Sequence, residues 1–169
     1  MNLVIIGRLP VDTEARIRAF FPPDWRVVFA VPDLAGSCLR DAEALIPDHL
    51  PINAALLDRA PKMRMIQTGA GYDNVDLAEC TRRGILVCSA AGVNAAAVAE
   101  HTMALILGWY KSIVYLDTFL KAHRHSRELR YSGGELCGKT VGIIGLGAIG
   151  QRVSALCRAF GMNVLGHSR

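Results

Sequence analysis

No two cysteines in this chain form a Cys-x-x-Cys pair, and the 5 present (Cys38, Cys80, Cys88, Cys137 and Cys157) are odd in number and irregular in spacing. That arithmetic speaks against a zinc framework or a disulfide scaffold and for a reducing, cytoplasmic setting. Each thiol is expected to act as a small buried apolar group, and no metal site is expected. A basic leader is missing too: Met1-Asn2-Leu3-Val4-Ile5-Ile6-Gly7 has neither the charge nor the small-residue cleavage site of a signal peptide, and reads as a first strand. The apolar stretch Thr102–Tyr110 falls well short of the roughly 20 residues that a membrane span needs. Aromatic residues make up only 7% of the chain, and none interleaves the most basic stretch, Lys111–Arg130, in a way that would stack bases. Asp117 and Glu128 interrupt the cations Lys111, Lys121, Arg124, Arg127 and Arg130. This stretch therefore reads as a solvated helix face, and neither a nucleic-acid nor a membrane partner is expected.

What the chain does have is core-forming material: 169 residues, 51% of them hydrophobic, with a mild net charge of +4. That suffices for one good-sized domain or two small ones, and the charge suits a small anionic ligand. Strand-like runs recur at Leu3–Ile6, Arg26–Ala30, Ala44–Ile46, Met65–Gln67 and Ile85–Cys88. Helical patterns separate them, at about Asp12–Phe21, Gly36–Ala42, Asn53–Arg59 and Asp76–Arg82. Pro22-Pro23, Pro32, Pro47, Pro51 and Pro61 fall between these elements, where proline is tolerated. Strands alternating with short helices predict an α/β fold with a parallel sheet. A long helix is expected from near Asn94 to about Lys121, and its first part, Ala95–Trp109, is so apolar that burial between layers is expected.

The most informative segment comes last. The strand Thr140–Ile144 runs into Gly145-Leu146-Gly147-Ala148-Ile149-Gly150, followed by the helix Ala148–Phe160, a C-cap at Gly161 and a strand Asn163–Gly166. A strand entering G-x-G-x-x-G and opening a helix is the start of a dinucleotide-binding unit. The first glycine allows the tight turn, the second lets backbone approach a pyrophosphate, and the third lets helix pack on strand. The helix N-terminus offers unpaired N–H groups and positive dipole charge to the phosphates. Alone, such a motif is weak evidence.

Two further motifs precede it in a fixed order: Gly69-Ala70-Gly71-Tyr72-Asp73-Asn74-Val75-Asp76, and Asn94-x-x-x-Val98-Ala99-Glu100-His101-Thr102. With these three motifs in this order, the chain resembles the D-isomer-specific 2-hydroxyacid dehydrogenases over essentially its whole length. The resemblance implies a flavodoxin-like parallel-sheet substrate domain at 1–92, followed at 93–169 by the first β-α-β of a Rossmann nucleotide-binding domain, which would be incomplete. It implies that the backbone N–H groups of Ala70 and Gly71 bind the substrate carboxylate, although Gly69 and Gly71 could instead simply permit a turn. Thr102 would sit on the cofactor side of the cleft, or alternatively bond back to a carbonyl within its helix. Gly145, Gly147, Ala148, Ile149 and Gly150 would hold the cofactor.

The resemblance also implies reversible hydride transfer between a nicotinamide and a small 2-keto or 2-hydroxy acid of the glyoxylate or hydroxypyruvate kind, catalysed by an arginine, a glutamate and a histidine. Those three are expected beyond Arg169, so no catalytic residue is assigned within the chain, which as written should not turn over substrate. Glu100 and His101 are neighbours on a helix and point about 100° apart, too divergent to form an acid–base pair. Where NAD-specific relatives end the second strand of the nucleotide domain with a carboxylate, this chain has Ser168 and Arg169. Serine can donate to a 2′-phosphate and arginine can grip it, so NADP(H) is favoured over NAD(H), unless Arg169 is merely solvated. A homodimer through the nucleotide-domain segment is also implied. As an isolated fragment the chain is expected to be poorly soluble, oligomeric, or dependent on a complementing piece. Two other readings stay open: a non-catalytic, corepressor-like dinucleotide-binding protein on the same scaffold, and an inactive truncated relic.

Overall fold

A computed structural model describes residues 1–32, 35–123 and 133–168. The chain divides into two compact units, Met1–Ala91 and Gly92–Arg169.

In the first unit the strands are β1 (Asn2–Ile6), β2 (Arg26–Ala30), β3 (Ala44–Ile46), β4 (Met65–Thr68) and β5 (Leu86–Ser89). Between them lie α1 (Val11–Arg18), α2 (Ala35–Cys38) with the 3-10 turn Leu39–Asp41, α3 (Ala54–Asp58) and α4 (Leu77–Arg82). The strands form one parallel sheet in the order β2-β1-β3-β4-β5, with Leu3 level with both Val27 and Ala44, and Ile66 level with Val87. A parallel sheet is covered on both faces, which is why its strands read as apolar runs rather than alternations. Val4, Ile6, Leu45 and Ile66 fill one face, and Leu3, Ile5, Val27 and Ala44 fill the other. Two of the short helices start on side-chain caps: Asn53 accepts from the Leu56 N–H at 3.0 Å, and Asp76 from the Glu79 N–H at 2.9 Å.

The second unit contains α5 (Ala95–Tyr110), α6 (Ile113–His123), β6 (Thr140–Ile144), α7 (Ala148–Ala159) and β7 (Asn163–His167). β6 and β7 pair in parallel, with Ile144 level with His167. α5 and α7 share a core of Ala99, Met103, Val153 and Cys157, where the Cys157 Sγ lies 3.7 Å from the Met103 Sδ.

Four expectations need correction. The single helix to Lys121 is two helices bent by 54°, because Ser112 adopts a left-handed backbone (φ 51°) and interrupts the i→i−4 ladder. α5 is not buried all round. Only Ala95, Ala99 and Met103, an i, i+4, i+8 stripe, are buried, while Leu105 is 63% and Trp109 84% exposed. The helix contributes one narrow face to the α7 contact, with Ile106, Leu107 and Tyr110 half-buried at its margin, and Leu105 and Trp109 lie outside that contact. The cysteines are not uniformly buried either: Cys80 and Cys157 are, Cys38 is half-buried, and Cys88 and Cys137 are exposed near strand and turn ends. β5 begins one residue late, at Leu86, because Ile85 enters the core as the chain leaves α4.

Among the described residues no single helix is long and apolar enough to cross a membrane, and no group of three metal-ligating side chains occurs. Within the basic stretch, Lys121 pairs with Asp117 at 2.7 Å on an exposed helix face. Arg124, Arg127, Glu128 and Arg130 lie outside the described residues.

Candidate functional site

Two loops at strand C-termini carry the candidate residues, one in each unit. In the first unit β4 ends in Gln67-Thr68 and passes into the exposed loop Gly69-Ala70-Gly71. Around it the backbone is tied down. The Gly69 carbonyl accepts from the Ala90 N–H at 2.8 Å, and the Thr68 hydroxyl donates to the Cys88 carbonyl at 3.3 Å. On its far side, Asn74 Nδ2 donates to the Leu50 carbonyl at 2.7 Å, while the Asn74 carbonyl accepts from the Ile52 N–H at 2.8 Å. Asn74 thus pins the loop to the segment after β3, a role that a motif-based reading of the sequence does not assign. Among the described residues nothing accepts from the Ala70 or Gly71 N–H, so both amides are unpaired at the end of an anchored loop. Two such N–H groups side by side suit a small anion.

In the second unit β6 passes into Gly145, whose φ of 97° is a conformation that side-chain-bearing residues avoid. The turn is then so tight that a Cβ on Gly150 would fall inside the carbonyl oxygen of Gly145 and crowd the Ile143 side chain. Gly147, the N-cap of α7, is extended (φ −73°, ψ −163°), and among the described residues no side chain caps the helix. The first-turn amides are therefore left without intrahelical or capping partners. A Cβ placed on Gly147 would meet nothing within 4 Å, so the loop presents bare backbone to open space. Uncapped amides, a helix N-terminus and an open approach fit the diphosphate of a dinucleotide. Gly145, Gly147, Ala148, Ile149 and Gly150 come together in this one turn.

The loop has supports outside its motif. The Gly145 N–H donates to the His167 carbonyl at 2.8 Å, tying it to the end of β7. The Leu146 side chain lies over Gly166, where a Cβ would stand 2.8 Å from the Leu146 Cδ1. Gln151 Nε2 donates to the Leu146 carbonyl at 2.9 Å. The motif reading passes over both Gly166 and Gln151. For Gly166 a signal existed, since a glycine inside a strand marks a close approach.

Other candidates fall differently. The Thr102 hydroxyl donates to the Val98 carbonyl at 2.8 Å, so its proton is used within α5 and only its lone pairs remain to accept. Glu100 and His101 are exposed on the same helix, and no ion pair joins them. Ser168 follows β7 directly, and Arg169 lies outside the described residues. On the surface of the first unit, Glu79 is chelated by Arg82 Nη2 and Arg83 Nε, each at 2.6 Å, and Arg83 reaches across to Asp58 on α3, also at 2.6 Å. The Arg82 hydrogen bonds, then those of Arg83, hold the Glu79 carboxyl at about 2, below the usual 4.5.

Comparison with known proteins places the chain in a family. A sequence model described as D-isomer specific 2-hydroxyacid dehydrogenase, catalytic domain, matches residues 32–163. The chain is 38% identical over 147 residues to the D-3-phosphoglycerate dehydrogenase of Mycobacterium leprae, covering 86% of this chain and 26% of that protein. It is 40% identical over 140 residues to the glyoxylate reductase of Aeropyrum pernix, covering 77% of this chain and 41% of that one. Among solved structures, D-lactate dehydrogenase from Aquifex aeolicus, complexed with NAD and lactic acid, superposes with a TM-score of 0.87 at 28% identity, over 99% of this chain and 51% of that one. An acyclic imino acid reductase (Bsp5) in complex with NADPH and D-Arg gives 0.81 at 25%, over 100% and 56%. The chain thus spans between about a quarter and just over half of the length of these relatives.

Proposed function

The chain belongs to the D-isomer-specific 2-hydroxyacid dehydrogenase family, and from that premise we propose that it supplies the substrate domain (1–92) and the opening of the nucleotide-binding domain (93–169) of an NADP(H)-preferring reductase of small 2-keto acids such as glyoxylate or hydroxypyruvate. One observation carries the reading: the Gly145–Gly150 turn closes to the limit that glycine allows and leaves the α7 amides uncapped. A fold that needed only a strand-to-helix connection would cap that helix with a side chain.

In this reading the Gly147, Ala148 and Ile149 amides bind the diphosphate, and the α7 dipole adds to the attraction. Ser168 and Arg169 select the 2′-phosphate, since serine donates to it and arginine adds a charge-assisted fork where a carboxylate would repel it. The Ala70 and Gly71 amides hold the carboxylate of the keto acid, and their lack of bulk lets both donors close on one anion. Thr102 accepts from the carboxamide side of the cofactor through its remaining lone pairs. A bound nicotinamide dinucleotide supplies the hydride. Polarising the keto oxygen and moving the proton require a cation and a general acid/base, roles assigned to no residue of 1–169.

A homodimer through the second unit accompanies this proposal. It is supported by a groove of about 1040 Å³ along α5 and α6, lined by Leu105, Trp109, Ile113 and Val114 among others, since apolar surface of this kind favours association. The direct test of the function is titration with NADPH and NADH, followed by glyoxylate turnover by the longest form of the protein. Saturable binding with NADPH the tighter is the expected result. Absence of binding by either dinucleotide overturns the proposal.

A further inference from the structure

We propose that Gln151 is a positioning residue for the dinucleotide loop: its side-chain amide fixes the Leu146–Gly147 peptide in the orientation that keeps a carbonyl oxygen turned away from the diphosphate. This rests on reading Gly145–Gly150 as that loop, and adds a determinant that lies outside the glycine motif.

The reasoning starts from the peptide unit. In a planar trans peptide the C=O and N–H point in opposite directions, so the Leu146 carbonyl and the Gly147 N–H reverse together if the unit flips. Gly147 lacks a Cβ, and the space a Cβ would occupy has no neighbour within 4 Å, so sterics on that side offer little resistance to a flip. The two orientations differ in what they show to an anion: one offers an N–H, the other a carbonyl oxygen carrying partial negative charge. Something outside the glycines must choose between them.

Two of the loop's supports do not make that choice. The Gly145 N–H on the His167 carbonyl fixes the Ile144–Gly145 peptide, two units before the one in question, and the packing of Leu146 over Gly166 fixes its side chain. The Leu146 carbonyl is held instead by Gln151 Nε2 at 2.9 Å, and no other donor reaches it among the described residues. Gln151 lies in the first turn of α7 and its own N–H donates to the Gly147 carbonyl at 3.0 Å. The same residue therefore holds the carbonyls on both sides of the Gly147 α-carbon, through backbone on one and side chain on the other. Without the side-chain bond, the loop divides its time between two orientations, and the fraction unsuited to the anion weakens binding by mass action.

The test uses Gln151→Met, which keeps length and apolar stem but has no donor, and Gln151→Glu, which replaces the donor with an acceptor. NADPH affinity is read by fluorescence titration of the protein at its full natural length, together with the melting temperature without dinucleotide. Methionine is expected to weaken NADPH binding roughly three- to tenfold with the melting temperature unchanged, and glutamate to weaken it further. In turnover the KM for NADPH rises while kcat and the KM for glyoxylate stay constant. The Gly147 amide resonance is expected to be sharp in the parent protein and to broaden by exchange in Gln151→Met. If the parent binds NADPH and Gln151→Met binds it equally well, the inference fails and the loop reading stands. A fall in melting temperature that tracks the loss of affinity also overturns it, because the role is then structural. If the parent binds no dinucleotide at all, the loop reading fails and takes the inference with it.

Discussion

Gly150 and the Gly145 carbonyl are packed so closely that the turn between β6 and α7 has no room for a single methyl group. The neighbour is backbone, which cannot swing aside as a side chain would. Gly150→Ala is expected to destabilise the second unit by about 3 kcal/mol or more and to abolish dinucleotide binding. Thermal melts followed by NADPH titration check both, and an unperturbed variant would show that the turn has room for a methyl group.

Cofactor choice is tested at the end of β7. Ser168→Asp places a carboxylate where the 2′-phosphate is proposed to sit, so NADPH affinity is expected to fall roughly tenfold or more while NADH affinity holds or improves. Parallel titrations give the ratio. An unchanged ratio removes Ser168 from the selection of cofactor.

Glu79 provides a pH prediction whose sign follows from its environment. Arg82 and Arg83 lower its carboxyl from 4.5 to about 2, so in the folded state it stays charged where the unfolded chain has already taken up a proton. Its contribution is fully present above about pH 4.5 and is lost as pH falls toward 2. Wild type should exceed Glu79→Gln in stability by a constant margin at neutral pH, and that margin should shrink through this acidic window. Chemical denaturation at several pH values measures it.

The thiols should separate by burial. Cys80 and Cys157 are buried and both are pushed up in pKa by that burial, with Asp76 and Glu79 adding to the effect at Cys80. A maleimide or disulfide reagent at neutral pH is expected to modify Cys88 and Cys137 first and to reach Cys80 and Cys157 only on unfolding. Peptide mapping of the labelled protein decides the order.

The proposed dimer predicts that Trp109→Glu, in the groove of the second unit, yields a monomer in sedimentation with the far-ultraviolet circular dichroism unchanged. Trp109 is 84% exposed in the single chain, so the substitution disturbs no intrachain core. A dimer that survives it uses another surface.

The glycine turn and the starts of α3 and α4 were legible because each encodes a local constraint. The φ of Gly145 and the contact between Gly145 and Gly150 involve residues five apart, and the capped starts of α3 and α4 are settled within one turn. The parallel sheet was legible because strands buried on both faces must be apolar throughout. The break at Ser112 was hidden, since neither glycine nor proline announces its left-handed backbone, and the apolar sequence of α5 said nothing of which side would be covered.

The sequence by itself determined the α/β class, the family and the glycine turn, since backbone sterics and hydrophobic periodicity act over a few residues. Only the tertiary structure decided that Leu146 rests on Gly166, that Gln151 holds the Leu146 carbonyl, and that Asn74 fastens the first loop to Leu50. Those partners meet only after strands have paired or a helix has turned back on its own loop, and such contacts depend on the path of the chain in space rather than on the order of its residues.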